Sequence, residues 1–346
     1  MIERIDMKYP AFLNPGGTIG FPAPSFGCVI EPYRTGFDTA CAEFERMGYR
    51  TLKGPNCYED CGVGISNTPE ACGSELTEMY CAGDSDILIS CGGGELMCEI
   101  LDHVDFDAVK KATPKWFMGY SDNTNFTFTL ATMCDTASVY GSNAPSFGPK
   151  PWHVSNTDAF DLLTGKALSF TGYPMWEKES LKTEENPLAQ LNLTEKTVVK
   201  PYPGVTVDMK GRLLGGCLDC LINLCGTKYD HVAEWNKKYA GDGTLWFLES
   251  CDLNVIQIRR ALWQLKHAGW FDSASGFLIG RPLHFDEDFM GIDRFSAVLS
   301  MLEDLHVPIL FDADIGHLPP RMPVVCGSLG HVWTHDGTYS VEFTFA

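Results

Sequence analysis

Residues 115–124 read Lys-Trp-Phe-Met-Gly-Tyr-Ser-Asp-Asn-Thr, an apolar run that stops at a serine among small and polar residues. The run has the length and composition of a buried strand, and the following Asn-Phe-Thr-Phe-Thr-Leu-Ala-Thr-Met segment has those of a helix. A strand that turns sharply into a helix is the repeating unit of a parallel α/β sheet. It also lifts whatever sits at the bend clear of the sheet, where the first N–H groups of the helix point. Gly119 permits a close approach, Ser121 occupies the bend, and the pattern is Gly-x-Ser-x-Asn, without the second glycine of the usual nucleophile elbow. Taken alone, Ser121 also reads as an N-cap that satisfies orphan N–H groups of the helix.

The same alternation runs through the first 145 or so residues, with strand-like runs at Gly-Thr-Ile-Gly-Phe (17–21), Tyr-Arg-Thr-Leu-Lys (49–53) and Asp-Ile-Leu-Ile-Ser-Cys (86–91). Between the first two, Phe37, Cys41, Phe44 and Met47 recur at helical spacing and predict a helix covering one face of the sheet. The third run ends in Gly92-Gly93-Gly94, whose backbone N–H groups no side chain obstructs, as an oxyanion hole requires. A phosphate-binding turn or a plain tight turn has the same composition. In a parallel sheet the carboxyl ends of both strands open onto one edge, where ligands bind.

Residues 1–148 are thus expected to form an α/β domain carrying Ser121. Residues 149–205 are rich in Pro and charge and read as a connection or lid. Residues 206–346 read as a second, mixed α/β domain. It contains the strand-like Thr-Leu-Trp-Phe-Leu-Glu-Ser, a helix from Asn254 with Val255, Ile258, Leu262 and Leu265 on one stripe, and a closing hairpin at His-Asp-Gly-Thr (335–338).

Composition narrows the function. The 346 residues carry 26 basic against 45 acidic side chains, a formal charge of −19 that repels nucleic acid and anionic membrane surfaces. No apolar segment approaches the roughly 20 residues of a bilayer span, and the N-terminal stretch lacks an apolar export core, so a cytoplasmic protein is expected. The 14 cysteines are then read as reduced thiols. Cys57, Cys61, Cys72 and Cys81 could in principle close a zinc site, but their spacing is loose, and packing is the favoured reading for them and for Cys217 and Cys220.

A serine hydroxyl needs a base, and a histidine base needs a carboxylate. Of the nine histidines, His317 stands out, because it follows the apolar run Pro-Ile-Leu-Phe-Asp-Ala-Asp-Ile and precedes a loop stiffened by Pro319, Pro320 and Pro323. His153, His267 and His335 fall in a polar loop, a helix end and a hairpin turn. Glu249, at the end of an apolar strand, is the best carboxylate, with Asp312 and Asp314 as competitors nearer His317 in sequence.

Together the segments Gly-Gly-Thr-Ile-Gly-Phe-Pro-Ala-Pro-Ser, Ile-Leu-Ile-Ser-Cys-Gly-Gly-Gly-Glu, Lys-Trp-Phe-Met-Gly-Tyr-Ser-Asp-Asn-Thr, Gly-Arg-Leu-Leu-Gly-Gly-Cys, Leu-Trp-Phe-Leu-Glu-Ser, Gly-Phe-Leu-Ile-Gly-Arg-Pro and Ile-Leu-Phe-Asp-Ala-Asp-Ile-Gly-His-Leu-Pro-Pro-Arg resemble, in order and over nearly the whole chain, the serine LD-carboxypeptidase family. That family includes murein tetrapeptide carboxypeptidases and microcin C immunity proteins of the MccF type. The resemblance implies a flavodoxin-like N-terminal domain, a second domain bearing the acid and the histidine, and a cytoplasmic, often homodimeric hydrolase without metal or cofactor. It implies Ser121 as nucleophile, Glu249 as triad acid, His317 as base, and the N–H groups of Gly93 and Asp122 as oxyanion hole. The substrate implied is a small peptide ending in D-alanine, or alternatively an aminoacyl-nucleotide.

Gly94, Glu95 and Arg321 are the expected further substrate contacts, Arg321 as a clamp for a terminal carboxylate. Trp176 resembles the aromatic residue that stacks on a nucleotide base in the immunity proteins, or else anchors its segment by burial. Two departures from the family pattern are Cys91-Gly92-Gly93-Gly94-Glu95, where an Arg-Gly-Gly-Tyr-Gly or Ile-Gly-Gly turn is common, and Cys217, where many relatives carry Asn. Rival readings are an α/β-hydrolase esterase, which shares the order serine, acid, histidine, and a binding protein on the same fold without turnover.

Overall fold

The computed structural model describes residues 7–62 and 64–346. Residues 1–6, part of the N-terminal stretch read above for an export signal, and Val63 lie outside the described residues.

Two sheets organise the chain. The first has six strands in the order Val324–Cys326, Ser138–Tyr140, Phe117–Gly119, Ile87–Ile89, Thr18–Phe21, Arg50–Lys53. Its last five strands are mutually parallel, as the strand–helix alternation predicts, and Val324–Cys326 pairs antiparallel with Ser138–Tyr140. The four-residue run Thr18–Phe21 is buried on both faces, which is why it reads as continuous apolar sequence. Helix Tyr33–Arg46 covers one face through Phe37, Ala40, Cys41 and Phe44. Met47, expected on that stripe, instead caps the helix and is 36% exposed, because the chain turns away at Gly48, which has φ +92°.

The second sheet has eight strands in the order Ser169–Thr171, Thr338–Thr344, Leu329–His335, Asp208–Cys217, Thr244–Glu249, Ala274–Gly280, Ile309–Ala313, Lys200–Tyr202. Its centre is parallel and its flanks antiparallel. The closing hairpin turns on Asp336 and Gly337, both with positive φ (47° and 78°), the geometry a two-residue hairpin loop favours. Helix Val255–His267 starts at Asn254, which forms a full capping box with Gln257, and buries Val255, Ile258, Leu262 and Leu265.

Residues 149–205 contribute helix Val154–Leu163, the two edge strands of the second sheet, and a two-stranded ribbon of Met175–Glu177 with Leu193–Lys196. Among the described residues no helix is long and apolar enough to cross a membrane.

The sheets meet at helix Thr124–Cys134, which is buried on nearly all sides. Such a helix must have apolar partners all round. Phe126 packs edge-on against Phe117 and Tyr80 on the first-sheet side, while Phe128 stacks on Trp270 of the second half, ring centroids 5.1 Å apart. Its first residue abuts the end of strand Asp208–Cys217, where the Thr124 hydroxyl accepts the Cys217 N–H at 3.0 Å.

Among the described residues Cys57, Cys61, Cys72 and Cys81 do not converge on a metal site. Cys57 donates to the Phe21 carbonyl at 3.0 Å and Cys72 lies 3.2 Å from the Ser66 hydroxyl, while Cys61 and Cys81 are exposed.

The junction depends on Gly216, with φ +145°, where an added Cβ would fall 2.5 Å from Thr124 Cγ2. Gly216→Ala is expected to cost roughly 2–4 kcal/mol from overpacking and backbone strain together. Chemical denaturation checks this, and an unchanged midpoint would show that the contact does not hold the halves together.

Candidate active site

The bend after strand Phe117–Gly119 places Ser121 at φ +64°, a left-handed conformation for a residue with a side chain. Gly119 makes the bend possible, since a Cβ there would meet the Asn123 side chain at 2.7 Å. Asn143 braces it from the neighbouring strand end, its Oδ1 accepting the Tyr120 N–H at 3.2 Å and the Asn123 Nδ2–H at 3.3 Å. Ser121 does not cap the helix. Its Oγ is instead 2.8 Å from His317 Nε2.

His317 Nδ1 lies 2.9 Å from Glu249 Oε2. Glu249 ends strand Thr244–Glu249 and is 2% exposed. Its other oxygen, Oε1, accepts the Tyr140 hydroxyl at 2.5 Å, and the same hydroxyl accepts the Ser121 N–H at 3.1 Å. The four residues therefore form a closed hydrogen-bonded ring. Burial pushes the Glu249 carboxyl up, but the His317 imidazole and hydrogen bonds from His317, Tyr140 and Cys217 outweigh it, and the carboxyl ends below its ordinary value. Gly316, at φ +111°, lets the histidine loop approach, because a Cβ there would lie 2.6 Å from Glu249 Oε2.

The competing carboxylates are occupied elsewhere. Asp312 pairs with Arg294 at 3.0 Å and Asp314 with Arg281 at 2.6 Å. His153 caps a helix through Ser155 N–H, and His335 meets Ser340 at 2.8 Å.

The glycine-rich turn lies against Ser121. A Cβ on Gly93 would be 3.6 Å from Ser121 Oγ, an ordinary contact, whereas one on Gly94 would strike Ser25 Oγ at 2.0 Å, so Gly94 leaves no room for a side chain. Among the described residues the N–H groups of Gly93 and Asp122 have no protein acceptor. The Asp122 side chain is tied down by Ser25 Oγ at 2.5 Å, Met97 N–H at 2.8 Å and Asn125 Nδ2 at 3.0 Å, which fixes the peptide that follows Ser121.

Around this centre lie three cavities. One of about 340 Å³ is walled by Phe26, Val29, Ile30 and Tyr33 and reaches Gly93, Gly94, Glu95, Ser121 and His317. A second, of about 240 Å³, holds His153, Lys182, His317 and Arg321. A third, of about 90 Å³, borders Ser121, Asp122, Gly94 and Glu95.

Arg321 stacks over the Tyr120 ring at 4.2 Å and donates from Nε to the Gly316 carbonyl at 2.7 Å, so it braces the histidine loop as well as facing the second cavity. Trp176 offers no free ring. It is 7% exposed, packed edge-on against Phe285 at 5.1 Å and under the Arg281 guanidinium at 5.2 Å, because its neighbours in the ribbon turn it inward.

Tyr140, Asn143 and Lys182 are the site residues that sequence reasoning missed. The first two had a usable signal, since Ser-Val-Tyr-Gly-Ser-Asn (138–143) is another strand ending at the same sheet edge. Lys182 lies in a polar segment without periodicity and had none.

Comparison with known proteins adds relatives to this geometry. Family models described as the LD-carboxypeptidase N-terminal and C-terminal domains match residues 19–141 and 210–332. The chain is 26% identical over 318 residues to the microcin C7 self-immunity protein MccF of Escherichia coli, covering 90% of this chain and 89% of that one. It is 27% identical over 346 residues to the probable murein peptide carboxypeptidase of Bacillus subtilis (strain 168), covering 96% and 94%. Among solved structures, an MccF-like protein from Bacillus anthracis str. Ames matches with a TM-score of 0.81 at 20% identity, over 98% of this chain and 100% of that one. MccF in complex with aspartyl sulfamoyl adenosine matches with a TM-score of 0.79 at 21% identity, over 97% and 98%. At such identities the structural likeness speaks for the fold.

The ring makes Tyr140 testable. Its hydroxyl favours the charged form of Glu249, so Tyr140→Phe raises that carboxyl's pKa. A carboxyl held below its unfolded value contributes stability above the ordinary carboxylate range and loses it as pH falls through the folded value. In Tyr140→Phe the folded value moves towards the unfolded one, so that loss is expected to be smaller and to be complete at a higher pH than in wild type. Labelling of Ser121 by a fluorophosphonate is expected to slow roughly tenfold at neutral pH, the size of one hydrogen bond to a charged group. Identical acid limbs for the variant and the wild type would remove Tyr140 from the assembly.

Proposed function

The chain belongs to the LD-carboxypeptidase family, and on that premise we propose that it is a serine hydrolase cleaving an amide bond next to a terminal carboxylate, with Ser121, His317 and Glu249 as its triad. The observation that carries the reading is the unbroken hydrogen-bond series from Ser121 Oγ through His317 to Glu249, at 2.8 and 2.9 Å. His317 takes the Ser121 proton as Oγ attacks the carbonyl carbon. Glu249 stabilises the imidazolium, and the N–H groups of Gly93 and Asp122 receive the oxyanion. Collapse of the tetrahedral species breaks the C–N bond as His317 returns the proton to the leaving amine. Water then repeats the cycle on the acyl-enzyme.

The second cavity supports recognition of a carboxylate. Lys182 and Arg321 face it, neither is in a salt bridge among the described residues, and burial followed by the Arg321 charge pulls the Lys182 amine below its ordinary value. Two cations beside His317, set against the single carboxylate of Glu177 in the same wall, suit the carboxylate of a leaving D-alanine, as in trimming a murein tetrapeptide. A second reading, hydrolysis of an aminoacyl-nucleotide, is favoured by the cavity of about 340 Å³, whose Phe26 and Tyr33 walls suit a flat ring. It does not draw on Trp176.

Mass spectrometry of purified protein and Ser121→Ala on a murein tetrapeptide and on an aminoacyl-sulfamoyl nucleotide tests both readings. Release of D-alanine by wild type alone is the expected result, and cleavage of the nucleotide alone would favour the second reading. Equal turnover by Ser121→Ala would overturn the mechanism. Lys182→Met is expected to raise KM for the tetrapeptide roughly tenfold or more with less change in kcat, the signature of a lost ground-state contact.

A further inference from the structure

The Gly93 N–H can receive an oxyanion only if the Gly92–Gly93 peptide faces the right way. That peptide is trans, and a trans peptide is planar with its N–H opposite its C=O. Whatever binds the Gly92 carbonyl therefore sets the direction of the Gly93 N–H. Two side chains bind it: the Ser90 hydroxyl and the Asn123 Nδ2–H both donate to Gly92 O at 2.8 Å. Ser90 and Asn123 are each 0% exposed, and neither stands in the wall of the three cavities around Ser121. Gly93 does border the cavity of about 340 Å³, and its N–H has no protein acceptor among the described residues.

Asn123 reaches further than this one carbonyl. Its Nδ2 also donates to the Tyr120 carbonyl at 3.1 Å and to Asn143 Oδ1 at 3.3 Å. By the same planar geometry, a held Tyr120 carbonyl directs the Ser121 N–H, which goes to the Tyr140 hydroxyl at 3.1 Å. One amide group, two residues beyond the nucleophile, thus ties the glycine-rich turn to the bend that carries Ser121.

A separate observation concerns the other end of that amide. Asn123 Oδ1 is buried and has no hydrogen-bond partner among the described residues. An unfilled buried acceptor is a cost that an apolar side chain at this position would avoid. Turning the amide over gives no relief, because Oδ1 would then face three oxygens, those of Gly92, Tyr120 and Asn143. The position uses the donors, and the unfilled Oδ1 accompanies them.

If the serine mechanism above holds, its oxyanion needs donors that are aimed before the charge develops. We infer that Asn123 is a positioning residue of that mechanism, which together with Ser90 holds the Gly92 carbonyl away from the cleft and so presents the Gly93 N–H to the oxyanion. Its effect falls on the transition state, since the substrate carbonyl gains its full charge only as Ser121 attacks.

Steady-state hydrolysis of the murein tetrapeptide is compared in wild type, Asn123→Ala and Ser90→Ala, alongside labelling of Ser121 by a fluorophosphonate, whose phosphoryl oxygen takes the place of the oxyanion. In Asn123→Ala kcat is expected to fall roughly a hundredfold, the size of one lost oxyanion donor, with little change in KM. Ser90→Ala removes one of two donors and is expected to cost roughly threefold to tenfold in kcat, again with KM little changed. Labelling should slow by similar factors. In the double variant the loss is expected to exceed the product of the single losses, because either donor alone still holds the carbonyl. Ser90→Ala deletes a single oxygen, so the test stands even where Asn123→Ala does not fold. An unchanged kcat in either folded variant, or a raised KM with kcat intact, would overturn the positioning role and leave the triad untouched. If wild type labels without cutting the tetrapeptide, the substrate reading fails and the labelling rates decide the positioning role in the same way. A wild type that neither cuts nor labels sinks the hydrolase reading, and the positioning role with it.

Discussion

The arrangement of the molecule turns on one buried carboxylate. Glu249 has both oxygens engaged, one by His317 at 2.9 Å and one by Tyr140 at 2.5 Å, and Tyr140 in turn holds the Ser121 N–H. A carboxylate with so little access to water is tolerated when its hydrogen-bonding positions are filled. Filling them requires three chain segments to arrive together: the end of strand Ser138–Tyr140, the end of strand Thr244–Glu249, and the loop after Ile309–Ala313. Two belong to the second sheet and one to the first, so the ring exists where the sheets are held at a fixed distance.

The connection that fixes the distance is the chain around His317 itself. It leaves the second sheet at Ala313, presents the imidazole, and enters the first sheet as Val324–Cys326, paired with the strand that ends at Tyr140. The loop is thus anchored in both sheets within about a dozen residues. Arg321 adds a brace, bonding the Gly316 carbonyl and stacking on Tyr120, the residue before the nucleophile. A shift of one sheet against the other would therefore strain this loop before it could separate the serine from its base.

Where the strands end was legible in the sequence, because a buried parallel strand is an uninterrupted apolar run and its last residue is conspicuous when polar. That contrast at or just after a strand end singles out Ser121, Glu249 and His317 as candidates, whereas the phenol of Tyr140 blends into its apolar run and gives none. The helix stripe at Phe37, Cys41 and Phe44 was legible from its period, but Met47 was not separable from it, since the turn at Gly48 is set by backbone conformation. Residues 149–205 give weak patterns because their strands lie at sheet edges or in a ribbon, where one face or more meets water and alternation replaces apolar runs. Trp176 sits in that ribbon. Its identity suggests stacking, while its direction depends on Phe285 and Arg281, more than 100 residues away.

Charge completes the argument. A chain with a formal charge of −19 has an unfavourable background for anions, so a site meant for a carboxylate must concentrate cations locally. Lys182 and Arg321 do this on the His317 side, while Glu95, Asp219 and Asp252 stand in the cavity on the far side of Ser121. The cavity beside His317 carries two cations and the small cavity beside Ser121 is acidic, so the charge changes sign across the Ser121–His317 pair. Charges in cavities with low-dielectric walls interact more strongly than in water, so this change of sign acts on any charged group that enters. The polarity of the site and the hydrogen-bonded ring are tied together at the peptide between Ser121 and Asp122, since Ser121 belongs to the ring and Asp122 to the wall of the acidic cavity.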